Sequence, residues 1–281
     1  MRIPYPRRCP RPIRSRPAWL ALVAAASALA LPLAQAPAAS ASSVNYVALG
    51  DSYSSGVGAG SYTSSSGSCD RSTNAYPQLW ANANSPASYV SVACSGATTS
   101  TVISSQLSAL SASTTLVSIT IGGNDIGFSS VMETCVLSST TSCLNAVSTA
   151  EAFIAGQLPA RLDSTLAAIR NDAPDAKVVV LGYPYLYDLS KSSSCIGLST
   201  KDRTALNGGA DDLDAALATA AENYGDTFAD VRGQFTGHEI CDSGSWLNSV
   251  DIFALSSSYH PTAAGQEQGY LPVFSVAAAE V

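Results

Sequence analysis

The strongest constraint on the fold is that short apolar strands alternate with helical patterns, and three of the strands end in polar, glycine-containing clusters. The predicted strands cover residues 44–49, 116–121, 177–181 and 227–231. Helical patterns lie between them, mainly over residues 150–171 and 201–223, where apolar residues recur on one face. Strands that alternate with helices predict a parallel sheet covered on both faces, and therefore an α/β fold.

The first 41 residues have a different character from the rest. Six arginines precede an apolar run over residues 18–33, and small residues follow up to Ala41. This order is typical of a secretory signal peptide. The alternative, an uncleaved membrane anchor, is disfavoured because the run is shorter than the ~20 residues that a spanning helix needs. We predict cleavage after Ala41, export from the cell, no stable membrane anchor, and a single domain over residues 42–281.

Charge and histidine content exclude several classes of protein. From residue 42 onward the chain has eight basic and twenty-one acidic side chains, so its surface would repel a phosphate backbone, and we expect no nucleic-acid partner. The chain contains only two histidines, His238 and His260, and no Cys-x-x-Cys pair. Zinc sites need clusters of such ligands. We therefore predict no metal and no cofactor.

Cysteine usage agrees with export. Beyond the predicted signal peptide there are six cysteines, Cys69, Cys94, Cys135, Cys143, Cys195 and Cys241. An even number in an oxidising compartment indicates three disulfides. Six cysteines allow fifteen pairings, and composition leaves all of them open.

A candidate nucleophile follows the first predicted strand directly. Ser52 lies in Gly50-Asp51-Ser52, at a strand-to-helix turn, where unpaired helix amides favour a developing oxyanion. The alternative reading is an ordinary helix cap or turn. The Gly-x-Ser-x-Gly and Ser-x-x-Lys motifs are both absent, which excludes two other classes of serine hydrolase.

Further along the chain are a candidate base and candidate oxyanion donors. His260 precedes Pro261, which marks the start of a predicted C-terminal helix, and so it lies on a loop as a base for serine would. His238 lies near Cys241 and is interpreted as structural. The Asn124 side chain and the Gly96 amide could stabilise an oxyanion, although each residue alone could also serve only a turn.

Together these residues resemble the SGNH (GDSL-type) hydrolase superfamily, and in particular the secreted lipases and esterases of actinomycetes. The matching blocks are Gly50-Asp51-Ser52, Gly96, Gly122-Gly123-Asn124-Asp125 and His260-Pro261. The resemblance implies a three-layer α/β/α, flavodoxin-like fold. It implies Ser52 as the nucleophile, His260 as the base, and an oxyanion hole formed by the Ser52 and Gly96 amides and the Asn124 side chain.

One position departs from the family pattern. The family usually has an aspartate three residues before the histidine, and this chain has Ser257 there. We expect a backbone carbonyl of Ser258 or Ser257 to orient His260 instead. The competing orienter is the carboxylate of Asp251, nine residues before the histidine.

The activity implied by the resemblance is hydrolysis of carboxylic esters, with fatty-acyl esters favoured. Alternatives at the same site are a polysaccharide deacetylase, a lysophospholipase or a thioesterase, and the non-enzyme alternative is a secreted carbohydrate- or lipid-binding module. We expect a monomer whose partner is a lipid or small ester substrate.

We also expect disulfides between cysteines that follow one another in the chain. Each would close a local loop between core elements, and the resemblance implies the same pairing. The pairs are Cys69–Cys94, Cys135–Cys143 and Cys195–Cys241.

Overall fold

The computed structural model describes residues 44–191, 195, 197–251 and 255–279, so the predicted signal peptide over residues 1–41 lies outside the described residues. Within these ranges five strands form one sheet: β1 (Asn45–Gly50), β2 (Ser88–Ser91), β3 (Leu116–Thr120), β4 (Lys177–Leu181) and β5 (Thr227–Ala229). All neighbours are parallel, in the order β2-β1-β3-β4-β5. The residues of β3 are all buried, as expected of a strand covered on both faces. The predicted α/β fold is confirmed.

Helices cover both faces of the sheet. In chain order the α-helices of the described part are α1 (Ser52–Ser55), α2 (Tyr76–Asn84), α3 (Thr99–Thr101), α4 (Phe128–Leu137), α5 (Thr140–Gly156), α6 (Leu158–Asp172), α7 (Thr200–Asn223), α8 (Arg232–Phe235) and α9 (Leu271–Ala278). Helices α2 and α9 pack together on one face, while α5, α6 and α7 pack together on the other. This is the three-layer arrangement expected for a flavodoxin-like strand order.

The prediction of a single helix over residues 150–171 is wrong. The structure has two helices there, with α5 ending at Gly156 and α6 beginning at Leu158. Pro159 lies in the first turn of α6, where its missing N–H is tolerated. The same proline could not continue α5, because its ring and missing donor break the hydrogen-bond ladder of a helix interior.

Two other local features differ from the sequence-based expectation. Strand β2 was not predicted, because it is a four-residue edge strand whose alternate residues are exposed, and so it has no apolar run. The serine- and glycine-rich composition of residues 58–72 predicts a loop, but these residues contain a 3₁₀ helix at Ser64–Cys69. By contrast, the helix predicted over residues 201–223 is confirmed as α7, which begins with a capping box between Ser199 and Asp202.

Three disulfides in the described part of the chain tie loops to this framework. The structure joins the expected pairs, Cys69–Cys94, Cys135–Cys143 and Cys195–Cys241. The first bond fixes the loop after β2, and the second joins α4 to α5. No helix in the described ranges is both long and apolar enough to cross a membrane.

Candidate active site

Ser52 is the first residue of α1 and follows the carboxyl end of β1. The side chain of Asp51 caps this helix by accepting the Tyr53 N–H at 3.0 Å. The turn requires glycine at position 50, where φ is +116° and a Cβ atom would lie 2.4 Å from the carbonyl oxygen of Thr120. The local sequence therefore places the Ser52 hydroxyl at the edge of the sheet, beside the first amides of a helix.

Ser52 and His260 lie 208 residues apart in the chain and meet at this edge. The Ser52 Oγ is 2.7 Å from Nε2 of His260, and the other ring nitrogen, Nδ1, is 3.0 Å from the carbonyl oxygen of Ser258. A carbonyl oxygen only accepts, so Nδ1 carries the proton in the neutral ring. Nε2 is then free to accept the proton of the Ser52 hydroxyl.

The three residues considered as orienters of His260 have different positions. The Ser258 carbonyl contacts the ring, whereas the Ser257 carbonyl accepts the backbone N–H of His260 at 3.2 Å. Asp251 donates its backbone N–H to the Ser258 hydroxyl at 2.9 Å. Of the candidates named from the sequence, the structure therefore brings the carbonyl of Ser258 to Nδ1.

Two side chains that the sequence analysis missed hold the His260 turn in place. The Tyr53 hydroxyl donates to the carbonyl of Tyr259 at 2.7 Å, which links helix α1 to this turn. The Asn248 side-chain amide donates to the carbonyl of His260 at 2.9 Å. Tyr259 itself has φ of +64°, a left-handed conformation that these contacts stabilise. No motif in the sequence predicts either contact. Tyr53 and Tyr259 are far apart in the chain, and Asn248 lies on an irregular loop.

The candidate oxyanion donors are held together by hydrogen bonds between strand-end loops. Asn124 donates one side-chain hydrogen to the carbonyl of Ala97 at 2.9 Å, which places the amide beside the turn that contains Gly96. That turn is anchored to β1 by the Cys94 N–H, which donates to the carbonyl of Gly50 at 3.0 Å. A side-chain amide has two hydrogens, so Asn124 retains a second donor.

Asp51, the residue before the candidate nucleophile, has a buried carboxylate. Asp51 accepts hydrogen bonds from the Tyr53 N–H, from the Thr120 hydroxyl at 2.6 Å, and from the Tyr183 hydroxyl. Burial raises the pKa of Asp51 to about 6, and these donors partly offset that effect. The sequence analysis treated Asp51 only as part of a motif and did not identify this network.

The second histidine, His238, has a separate environment. Its ring stacks on Trp246 with the centroids 3.7 Å apart, and Nδ1 lies 2.9 Å from the carbonyl oxygen of Gly244. These contacts agree with the structural interpretation of His238.

A narrow apolar cavity opens beside the candidate site. Its lining includes Asp51, Tyr53 and Asn124 at the end nearest Ser52. The rest of the wall is mainly apolar and comes from α4, α5, α7 and the segments before them; it includes Ile126, Phe128, Val131, Val147, Leu206 and Leu213. The small residues Ala150 and Gly209 also line the cavity.

The pKa of His260 makes the pH dependence of activity a direct test of this geometry. Burial lowers that pKa to about 4, and the contact with the Ser258 carbonyl offsets only part of the shift. A base must be neutral, so we expect kcat/KM for a soluble ester to stay constant as the pH falls to about 5 and to drop as the pH approaches 4. Initial rates should be measured across this range, with circular dichroism to verify folding at each pH.

A fall in kcat/KM with a midpoint near pH 6.5 would contradict the burial of the His260 ring. A limb near pH 6 that disappears in Asp51→Asn would instead assign the titration to Asp51, whose pKa is raised to about 6.

The chain is similar to several known proteins. The model of the GDSL-like lipase/acylhydrolase family matches residues 48–268. The chain is 57% identical to "Lipase 1" of Streptomyces coelicolor over 83% of this chain and 86% of that protein. Among solved structures, phospholipase A1 of Streptomyces albidoflavus NA297 is 56% identical, with a TM-score of 0.82 over 84% of this chain and 99% of that one. An extracellular lipase of Streptomyces rimosus is 52% identical, with a TM-score of 0.81 over 83% and 99%. The chain belongs to the GDSL-like lipase/acylhydrolase family.

Proposed function

We propose that this protein hydrolyses carboxylic esters of fatty acids through an acyl-enzyme formed on Ser52. The observation that carries the proposal is the contact of 2.7 Å between Ser52 Oγ and His260 Nε2, with Nδ1 held by the Ser258 carbonyl. His260 accepts the hydroxyl proton while Ser52 Oγ attacks the ester carbonyl. The same proton is then donated to the leaving alcohol, and a water molecule activated by His260 releases the acid.

The oxyanion formed at each step is stabilised by the amides of Ser52 and Gly96 and by the side chain of Asn124. The amide of Ser52 belongs to the first turn of a helix, where the N–H groups are unpaired and the helix end is positive. The Asn124–Ala97 hydrogen bond fixes the side-chain donor before the substrate arrives, which avoids reorganisation during the reaction.

His260 acts without a carboxylate partner in this proposal. The Ser258 carbonyl selects the required tautomer but supplies no full negative charge to stabilise the imidazolium. The low pKa of His260 fits this arrangement, because burial disfavours the charged ring and the Ser258 carbonyl offsets only part of that effect.

The narrow apolar cavity is the proposed acyl site. It begins at Asp51 and Asn124 and continues between Phe128, Val131 and Leu206, so an acyl chain can extend from the reacting carbonyl into apolar surroundings. The apolar character of this wall favours fatty-acyl esters over the acetyl groups of a polysaccharide. The names of the relatives, lipase and phospholipase A1, support the same substrate class.

Narrowing the cavity tests the acyl site. Gly209 lines it, and a Cβ added there would meet only a Val147 methyl group at 3.9 Å. We expect Gly209→Leu to lower kcat/KM for p-nitrophenyl octanoate by about tenfold or more, and to leave the value for p-nitrophenyl acetate unchanged, because a few methylene groups are worth that much in an apolar pocket.

Gly208→Leu is the matched control. Gly208 is adjacent on α7, and a Cβ there would have no atom within 4 Å. Both changes replace a helical glycine by a good helix former, so neither should lower stability. Equal effects of Gly209→Leu on acetate and octanoate would contradict the assignment of the acyl site.

We also propose that the mature protein is an exported domain over residues 42–281 and that it acts as a monomer. Three disulfides suit an oxidising compartment, and so does the predicted signal peptide. N-terminal sequencing of secreted protein tests cleavage after Ala41.

A further inference from the structure

Three exposed apolar side chains lie on the α4 side of the molecule, in or beside one cleft whose lining also includes polar residues such as Ser138 and Asp202. Leu137 at the end of α4 is 74% exposed, and Val136 and Val250 are 36% and 40% exposed. Val136 and Val250 line the same cleft, of about 490 Å³, which Tyr187 and Tyr259 also line. We call Val136, Leu137 and Val250 the α4 rim. Single exposed apolar residues are ordinary, but a group of them around one cleft is typical of an interaction surface.

The α4 rim is connected to the proposed active site through two aromatic rings. Tyr259 lies in the cleft and immediately precedes His260, and its ring makes an edge contact with Phe128 at a centroid distance of 6.4 Å. Phe128 begins α4 and lines the acyl cavity. One helix, about 15 Å long, therefore contributes to the acyl cavity at one end and carries the α4 rim at the other.

The charge distribution disfavours anionic partners, since Asp202 also lines the cleft. The segment 126–139, which contains α4, has Glu133 as its one charged residue, and the chain from residue 42 onward is strongly acidic. A surface of this kind is repelled by anionic lipids, whereas uncharged and zwitterionic lipids accept apolar side chains at their interface. The disulfide Cys135–Cys143 holds the end of α4 against α5, so the rim is presented on a fixed element.

We propose that the α4 rim binds the surface of zwitterionic lipid aggregates and thereby brings the acyl cavity to esters packed within them. The inference rests on the proposed ester hydrolysis, because it is the substrate of that reaction that gathers in lipid aggregates. Binding places Leu137 and its neighbours among the lipid headgroups and acyl chains, where their apolar surface leaves water.

Co-sedimentation with vesicles of diether phosphatidylcholine, which has no ester to hydrolyse, tests the proposal. Leu137→Asp is expected to lower the vesicle partition coefficient by about tenfold or more, since it removes the burial of a leucine and adds a charge. Val276→Asp is the matched control, because Val276 is 77% exposed on α9, which packs with α2 on the opposite face of the sheet. Val250→Asp repeats the test outside α4.

Equal binding of wild type, Leu137→Asp and Val250→Asp would overturn the proposal. So would tighter binding to phosphatidylglycerol vesicles than to phosphatidylcholine vesicles, or a dimer in gel filtration that Leu137→Asp converts to monomer. Hydrolysis of soluble p-nitrophenyl butyrate separates this result from the proposed function. The rim variants should retain that activity, whereas a wild-type protein without it would refute ester hydrolysis whatever the vesicles show.

Discussion

Replacing Ser52 by alanine is expected to lower kcat for p-nitrophenyl butyrate by about 10⁴-fold or more, because the acyl-enzyme can no longer form. The loss should be as large as in His260→Ala. The double variant should be no worse than either single one, since a nucleophile and its base act as one unit. The same change should abolish labelling by a fluorophosphonate, which reacts with an activated serine hydroxyl.

Ser55→Ala is the control for this change. Ser55 lies in the same short helix, and its hydroxyl donates to the carbonyl of Ser52 at 3.2 Å. Activity within about tenfold of wild type is expected there, because no reacting atom is removed. Activity above about 1% in folded Ser52→Ala would place the nucleophile elsewhere, since loss of a nucleophile costs far more than that.

Removing the Asn124 side chain is expected to lower kcat by about 10²–10³-fold with little change in KM. This is the usual effect of deleting one oxyanion donor, whose contribution arises in the transition state and is small in the ground state. Asn124→Asp should be at least as damaging, because it replaces the donor by a negative charge beside the oxyanion. Steady-state kinetics on a soluble ester, together with thermal unfolding, separate the loss of catalysis from a loss of stability.

The control for Asn124 is Asn82→Ala. Asn82 is exposed on α2, where its side chain accepts a hydrogen bond from Gln78 at 2.8 Å. Its removal should leave kcat unchanged. If Asn124→Ala instead raised KM and left kcat intact, Asn124 would bind the substrate in its ground state and would not be an oxyanion donor.

The pattern of apolar residues in the sequence was sufficient to predict four of the five strands. Strands β1, β3 and β4 are apolar runs, and β5 follows a clear helix. It was insufficient for β2, where an exposed edge provides no apolar signal. The break between α5 and α6 could have been read from Pro159, but the apolar periodicity on either side of it favoured one helix.

Ser52, Gly96, Asn124 and His260 could be singled out from the sequence because each lies in a short local motif. The Asp51 network could not, since its partners Thr120 and Tyr183 lie 69 and 132 residues further along the chain. The same holds for the apolar cavity, whose wall is assembled from α4, α5 and α7.

The sequence by itself determined the strand-end turns and the glycines that they require, because a turn depends on the conformations that its own few residues can adopt. It also identified the candidate nucleophile, the candidate base and the candidate oxyanion donors. Only the tertiary structure decided that the carbonyl oxygen of Ser258 lies 3.0 Å from Nδ1 of His260, and that Ser52 Oγ lies 2.7 Å from Nε2. Such contacts depend on how a parallel sheet brings the ends of distant segments together, and that packing is a property of the whole chain.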